Sequence, residues 1–231
     1  MIAAPLGVPG SLVVDPLLRM ARGENALNEH NTSVGHWVHR DGWGAVYEER
    51  GRVRIIRGTD PCWEDPAIES MRDREVFLLH ARRASRGLVS LENTHPFEQD
   101  VDGARWGFCH NGTAKGLGSA DRSDSAEIFR RLRPHLSDDR VLEGIRAVYG
   151  AILDYTSLNS FLLGPDALWA VALCQENPDY YALTITAGPA GPAVSSEPLD
   201  ELGAQQERIP NGTIVRIDRQ SGDVETRAFD T

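Results

Sequence analysis

The chain has 231 residues, of which 41% are hydrophobic, and this is enough for one sizeable core. Its formal net charge of −10 argues against a nucleic-acid partner, because such proteins need a basic face to displace counterions from phosphates. Three cysteines without metal-type spacing, and the lack of a long apolar run, predict a cytoplasmic protein with reduced thiols and no membrane partner. We therefore expect a single domain over residues 1–231.

The first half of the chain alternates between strand and helix patterns. Short apolar runs or alternating apolar residues predict strands over residues 2–8, 43–49, 52–58, 75–82 and 105–111. Two Asp-Pro pairs, at residues 15–16 and 65–66, predict helix starts, because Asp can cap a helix and Pro suits its first position. Gly23 is expected to end the first of these helices.

The second half contains two amphipathic helices followed by strands. The helices are predicted over residues 123–132 and 137–153, each opening at a Ser-Asp pair that can cap it. Strand patterns then occupy residues 159–164, 168–174, 180–186, 193–199, 212–218 and 223–229. Strands on both sides of adjacent helices predict an α+β fold, in which two layered sheets have helices outside them.

Several polar residues fall at the predicted ends of strands. Along residues 75–82, alternation places His80 and Arg82 on one face, where they emerge beside each other. His95 and His110 add two more histidines near strand ends. No Cys/His/Asp spacing supports zinc, so we interpret the histidines as hydrogen-bonding groups and expect neither a metal nor a cofactor.

The chain has two Asn-Gly pairs, and each by itself is a signal for a tight turn. The pair at residues 211–212 lies between plain strand patterns and is interpreted as an ordinary turn. The pair Asn111-Gly112 ends an apolar run and directly follows a histidine, and taken by itself it predicts a hairpin turn.

Six short segments resemble, in order and approximate spacing, those of the class II glutamine amidotransferases. They are HRDGWG, HARRASRG, ENTHPF, CHNG, SDSAE and SSEPL, at residues 39–44, 80–87, 92–97, 109–112, 123–127 and 195–199. The resemblance covers most of the chain and is nearest to small stand-alone bacterial members. It implies a four-layer αββα sandwich of the N-terminal nucleophile hydrolase type, with two mainly antiparallel sheets flanked by helices. The implied reaction is amide hydrolysis to glutamate and ammonia, with a separate synthase subunit as the possible ammonia acceptor.

The resemblance also implies roles for individual residues. The side-chain amide of Asn111 and the backbone N–H of Gly112 would form an oxyanion hole, which needs two donors aimed at one point. Arg82 would hold the α-carboxylate of glutamine and Asp124 its α-ammonium, because both charges lose water on entry and must be paired. Asp124 has a second interpretation as a helix cap, and both roles can hold at once.

Further residues of the same segments are expected to line the pocket. Ser85, His95 and His110 are the remaining candidates for substrate contacts. Arg83 and Arg86 depart from the family pattern, which more often has an aromatic residue and a histidine at these positions. Because of this departure, the family pattern does not fix which substrate the pocket prefers.

The nucleophile of the family, an N-terminal cysteine four residues before a glycine, is missing. Counting back from Gly7 places this position at Ala3, and neither Ala3 nor Ala4 can attack a carbonyl. The family's general base is the α-amino group of that cysteine. Because initiator Met1 is not normally removed before a bulky residue such as Ile2, we expect no amine at the site.

Two functional hypotheses follow from this loss. The first is a hydrolase of glutamine or a γ-glutamyl amide whose nucleophile has been replaced in this sequence. The second is a pseudoenzyme that binds an amino-acid-like ligand, for regulation or for a reaction that needs no thiolate. Cys109 does not restore the first, because strand alternation turns it away from His110 and predicts a buried structural thiol.

Overall fold

The computed structural model describes residues 1–24, 27, 30, 37–137 and 139–229. In these ranges the α-helices are α1 (Val14–Ala21), α2 (Asp124–Leu132) and α3 (Val141–Gly150). The strands are β1 (Ile2–Pro9), β2 (Trp43–Glu49), β3 (Arg52–Gly58), β4 (Glu75–Ala81), β5 (Phe97–Val101), β6 (Ala104–Asn111), β7 (Asn159–Leu163), β8 (Ala167–Ala172), β9 (Leu183–Gly188), β10 (Gly191–Ser195), β11 (Gln205–Ile209), β12 (Thr213–Asp218) and β13 (Val224–Ala228). None of these helices has the length and apolar composition of a membrane span.

The strands form two antiparallel sheets. The first has seven strands in the order β11-β9-β10-β1-β4-β2-β3, and the second has six in the order β13-β12-β8-β7-β6-β5. Each sheet draws strands from both halves of the chain, because β1 pairs with β10 in the first sheet and β6 with β7 in the second.

Three apolar cores divide the molecule into layers. Leu17 of α1 packs with Val76 on the outer face of the first sheet, and Phe129 of α2 stacks on Phe108 of the second at 5.3 Å between ring centroids. A third core, which includes Phe161, fills the space between the sheets. The predicted α+β fold with four αββα layers is therefore confirmed.

Local sequence signals explain several of these elements. The hairpin of β2 and β3 turns at Arg50 and Gly51, whose φ angles of 54° and 71° are the positive pair that a type I′ turn requires. The short 3₁₀ helix Pro66–Met71 begins at Asp65, whose carboxylate accepts a hydrogen bond of 2.9 Å from the N–H of Ala67. Both elements were predicted from their turn and cap residues.

Two helices differ from the predictions. α1 begins one residue before Asp15, whose carboxylate does not cap it but accepts from Arg72 at 2.7 Å. α3 is shorter than the predicted range 137–153 and starts after Arg140, which gives no side-chain cap. The backbone carbonyl of Ser137 accepts from the first residue of α3, while the Asp at position 138 lies outside the described residues.

Candidate functional site

A cavity lies where β4 of the first sheet and β6 of the second sheet end. Its lining includes every residue predicted to contact a substrate, namely Arg82, Ser85, His95, His110, Asn111, Gly112 and Asp124. The space open to the centres of water-sized spheres is about 60 Å³, which is well above the ~10–15 Å³ that a cavity needs to hold one water molecule. The structure thus brings residues from four separate sequence segments into one small polar pocket.

Arg82 is buried in the wall of this cavity, with 3% of its surface exposed. Its guanidinium donates to three backbone carbonyls, those of Arg86 at 3.1 Å and of Asp41 and Leu88 at 3.4 Å. Burial lowers its pKa, while the carboxylates of Asp41 and Asp124 act in the opposite direction. Within the described ranges no carboxylate forms an ion pair with Arg82. This buried cation can therefore pair with a carboxylate of a ligand.

Asp124 is the first residue of α2 and is 2% exposed. The side chain that caps the helix is that of Ser123, whose hydroxyl accepts from the N–H of Ala126 at 3.2 Å. The Asp124 carboxylate instead accepts from the backbone N–H groups of Ala114 at 2.7 Å and Ser125 at 2.9 Å. It therefore ties the start of α2 to the loop that follows the Asn-Gly pair, a contact that the sequence analysis did not foresee.

Gly112 adopts a backbone conformation that only glycine fits. Its φ is 140°, and a Cβ atom built on it would lie 2.0 Å from the carbonyl oxygen of Ser157. Asn111, the last residue of β6, makes no side-chain hydrogen bond to the part of the chain that the structure describes. The pair thus presents an amide without an internal partner at the cavity wall.

The second Asn-Gly pair is built differently. The side chain of Asn211 accepts from the N–H of Cys174 at 2.8 Å and donates to its carbonyl at 3.0 Å. Gly212 has a φ of 81°, and a Cβ atom added to it would meet no heavy atom within 4 Å. This pair acts as a structural turn, as the sequence analysis expected.

Four buried or half-buried imidazoles line the cavity, those of His39, His80, His95 and His110. Because the carbonyl of Ser157 can only accept, the Nε2 of His110 donates to it at 3.1 Å, and its Nδ1 accepts from the hydroxyl of Ser125 at 2.9 Å. The ring of His95 lies beside that of His80, tilted by 41° with 4.2 Å between ring centroids, and neither ring nitrogen of His95 has a hydrogen-bond partner among the described residues. Burial holds the pKa of His80 and His95 well below its usual range, so both are neutral at pH 7.

Metal binding gains no support from these side chains. In the ranges that the structure describes, no group of three His, Cys, Asp or Glu residues is arranged to hold an ion. The imidazoles of His80 and His95 lie against each other rather than around a common point.

The amino end of the chain lies against this pocket. A second cavity of about 30 Å³ is lined by Met1, Tyr180 and Ser196, and it shares His39, His80, Ala81 and Asn111 with the first. The α-amino group of Met1 donates to the hydroxyl of Ser196 at 2.8 Å, and burial lowers its pKa to about 6. The sequence analysis expected no amine at the site, and the structure places the Met1 amine at this adjoining cavity.

Ala3 and Ala4 do not reach either cavity. Ala3 is fully buried between the two sheets, and Ala4 lies on the other face of β1, beneath α1. The register of β1 against β4 is irregular, because Ala3 lies opposite Leu78 whereas Val8 lies opposite Val76. Counting residues back from a glycine across this irregularity does not locate the residue at the pocket, and the structure places Met1 there instead.

An aromatic wall of the pocket was missed in the sequence analysis. Trp37 and Tyr181 line the first cavity, and the ring of Tyr180 meets that of Trp37 edge-on at 5.4 Å. The guanidinium of Arg83 lies 4.5 Å from the centroid of Trp37. Trp37 belongs to a polar stretch without periodicity, so no sequence signal marked it.

The remaining predicted residues lie as follows. The hydroxyl of Thr113 donates to that of Ser85 at 2.9 Å, which joins the loop after β4 to the loop after β6. Cys109 is 1% exposed in the core between the sheets, and burial raises the pKa of its thiol. It faces away from His110, as alternation predicted.

Comparison with known proteins gives one consistent result. A model of the class II glutamine amidotransferases matches residues 26–130. The Escherichia coli protein YafJ, named provisionally as a glutamine amidotransferase, is 34% identical over 206 residues, which cover 80% of this chain and 79% of that protein.

Solved structures with this fold include a glutamine phosphoribosylpyrophosphate amidotransferase from Bacillus subtilis, with a TM-score of 0.68 at 13% identity. The match covers 100% of this chain and 48% of that one, so the chain spans about half the length of that enzyme. A predicted glutamine amidotransferase from Pseudomonas aeruginosa gives a TM-score of 0.56 at 21% identity, over 83% of this chain and 89% of that one. At these identities the structures show a shared fold.

Proposed function

This chain belongs to the class II glutamine amidotransferase family, and on that premise we propose that its pocket binds glutamine or a γ-glutamyl amide. The observation that carries the proposal is the buried guanidinium of Arg82, which in the described part of the chain donates to backbone carbonyls alone and lines the same cavity as Asn111. The α-carboxylate pairs with Arg82 and the α-ammonium with Asp124. The amide oxygen accepts from the side chain of Asn111 and the backbone N–H of Gly112.

The other lining residues complete this binding mode. His95 is neutral and offers one donor and one acceptor without internal partners, so it can hydrogen-bond to the amide or to the carboxylate. His110 is held in place by Ser125 and Ser157, so it supports the wall. The bond from Thr113 to Ser85 keeps the two loops at the cavity mouth together.

We propose further that the chain binds the amide without hydrolysing it, which would make it a pseudoenzyme with a regulatory or another non-thiol role. All three cysteines are free and buried, and none of them lines either cavity. The single contact that favours hydrolysis is the one between the Met1 amine and the Ser196 hydroxyl, since an amine with a pKa of about 6 is a suitable base. A separate ammonia-accepting synthase subunit belongs to this second, hydrolytic alternative.

Two wider features are proposed on the same basis. We propose that residues 1–231 act as one domain, which is supported by the way each sheet combines strands from both halves of the chain. A cytoplasmic location is supported by the three unpaired cysteines, which a reducing compartment would maintain.

Calorimetric titration tests the binding mode. Glutamine should bind more tightly than glutaramate, which lacks the α-amino group, and Asp124→Asn should lose most of that preference. Removing one side of a desolvated charge pair costs about 2–5 kcal/mol, so Arg82→Ala should weaken glutamine binding by one to several powers of ten. Equal binding of the two ligands would remove Asp124 from the ligand contacts. No binding of either ligand by the folded, unmodified chain would overturn the proposed function.

Ammonia release distinguishes binding from hydrolysis. We expect no release from glutamine above the rate in buffer, because the pocket supplies donors and charges but no thiol. Release that disappears in Ser196→Ala, while glutamine still binds, would show that the Met1 amine and Ser196 form a working pair.

A further inference from the structure

The two cavities are joined at the position proposed for the amide. Asn111, His39 and His80 line both of them, whereas Arg82 and Asp124 line only the first. A ligand whose α-groups lie in the first cavity and whose amide meets Asn111 therefore has its amide nitrogen at the entrance of the second. A primary amide such as glutamine leaves this second cavity unfilled. Its space of about 30 Å³ exceeds the ~10–15 Å³ that one water molecule needs, so it can admit a small substituent.

The positive charge of Arg83, which lines the first cavity, lies near the junction of the two cavities. His39 lies there. Burial is the main cause that lowers the pKa of this imidazole, and the Met1 amino group and Arg83 lower it further. The described lining of the second cavity contains no acidic side chain. Glu197, whose charge raises the pKa of the Met1 amine, does not belong to this lining. At pH 7.5 the Met1 amine, whose pKa is about 6, is mostly neutral and offers N–H donors, so the positive charge that favours an anion at this junction is that of Arg83.

Arg83 has donors to offer at this point. Its guanidinium lies over Trp37, 4.5 Å from the ring centroid, and it makes no ion pair with any residue in the described ranges. Its charge also lowers the pKa of Tyr180, which lines the second cavity, and of Tyr181, which lines the first, against the larger upward effect of burial. Stacking on an aromatic ring fixes the plane of a guanidinium while leaving its edge N–H groups free for a carboxylate or phosphate.

We propose that this pocket takes a γ-glutamyl compound whose amide nitrogen carries a small anionic group, held at the junction by Arg83 and the α-amino group of Met1. The inference rests on the proposed function, because it needs the α-groups at Arg82 and Asp124. It adds a substrate class that glutamine itself does not represent. The amide bond stays intact in this binding mode, so no chemical step is required.

A matched pair of ligands tests the proposal. γ-Glutamylglycine and γ-glutamylglycinamide differ only in whether the terminal carboxylate is present as an anion. In calorimetric titrations at pH 7.5, γ-glutamylglycine should bind roughly tenfold more tightly than the amide, as expected for a hydrogen bond to a charged group. Arg83→Gln should reduce this ratio towards one. Arg52→Gln removes the same charge at an exposed position in the turn end of β3 and should keep the ratio.

The outcomes separate this inference from the proposed function. Equal affinities for the two γ-glutamyl ligands, in a chain that binds glutamine, would overturn the second anion site and leave the glutamine site standing. Binding of glutamine with no binding of either γ-glutamyl ligand would show that the second cavity does not admit a substituent, which also overturns the inference. A ratio that falls equally in Arg83→Gln and Arg52→Gln would assign the preference to overall charge. If glutamine and both γ-glutamyl ligands fail to bind, both proposals fall.

Discussion

Replacing Gly112 with alanine should destabilise the fold far more than replacing Gly212 does, although each glycine follows an asparagine. An alanine at position 112 would need a φ near 140°, and its Cβ would lie 2.0 Å from the carbonyl oxygen of Ser157. Such a backbone conformation costs about 1–3 kcal/mol, and moving a packed backbone to make room costs about another 1–3 kcal/mol. We therefore expect Gly112→Ala to lower the free energy of unfolding by about 2–6 kcal/mol.

Gly212→Ala is the matched control, because it makes the same chemical change in the same dipeptide. Its φ of 81° carries a conformational cost of about 1–2 kcal/mol, and no heavy atom within 4 Å opposes the new methyl group. Lower entropy of the unfolded chain offsets part of that cost. Urea unfolding followed by circular dichroism measures the free energy of unfolding of both variants. The two values can be compared when each variant unfolds in one transition and its free energy depends on urea concentration with the same slope. A loss at Gly112 no larger than that at Gly212 would refute the close approach to Ser157.

Two further predictions concern titratable groups. Burial lowers the pKa of the Met1 amine from 8.0 to about 6 and holds those of His80 and His95 well below their usual range. Since the unfolded chain then binds more protons than the folded one, stability should fall as the pH drops from 8 to 5, by about 2 kcal/mol from Met1 alone. Urea midpoints that stay constant or rise over this range would contradict it. Burial also raises the pKa of Cys62 to about 11 and that of Cys109 still further, so native protein should resist iodoacetamide at both, as peptide mass mapping would show. Rapid labelling of Cys109 without denaturant would count against its buried position.

The strands that the sequence predicts are those whose burial has a simple pattern. The hairpin of β2 and β3 carries its own turn signal, and β7 and β8 are buried along their whole length. β5 and β11 were not predicted as strands, and they are edge strands of their sheets. Most of their side chains are polar and reach solvent, so neither the alternation nor the apolar run that marks a strand is present.

The site shows a similar division. Arg82 and Asn111 each belong to a short segment that resembles those of the family, so the sequence located them, and they do lie in one cavity. Trp37 was not, because its place depends on Arg83 and Tyr180, which are far from each other in sequence. The misplaced nucleophile position at Ala3 has a comparable cause, since the irregular register of β1 is set by its partner β4. Pairing between distant segments is the information that a single sequence does not display.

The polar groups of the pocket lower the stability of the empty fold. A buried hydrogen-bonding group without a partner costs about 1–3 kcal/mol, and His95 has two such ring nitrogens. Arg82 adds a buried cation that donates to carbonyl oxygens and feels the charges of Asp41 and Asp124 without an ion pair in the described ranges, and apolar residues of similar volume are often as stable or more stable at such positions. The proposed γ-glutamyl ligand would supply what is missing, because it would bring a carboxylate for Arg82 and an amide for Asn111 and His95. Binding of such a ligand would offset these costs whether or not the amide is hydrolysed, which is the physical reason for proposing it in a chain without a thiol at the cavity.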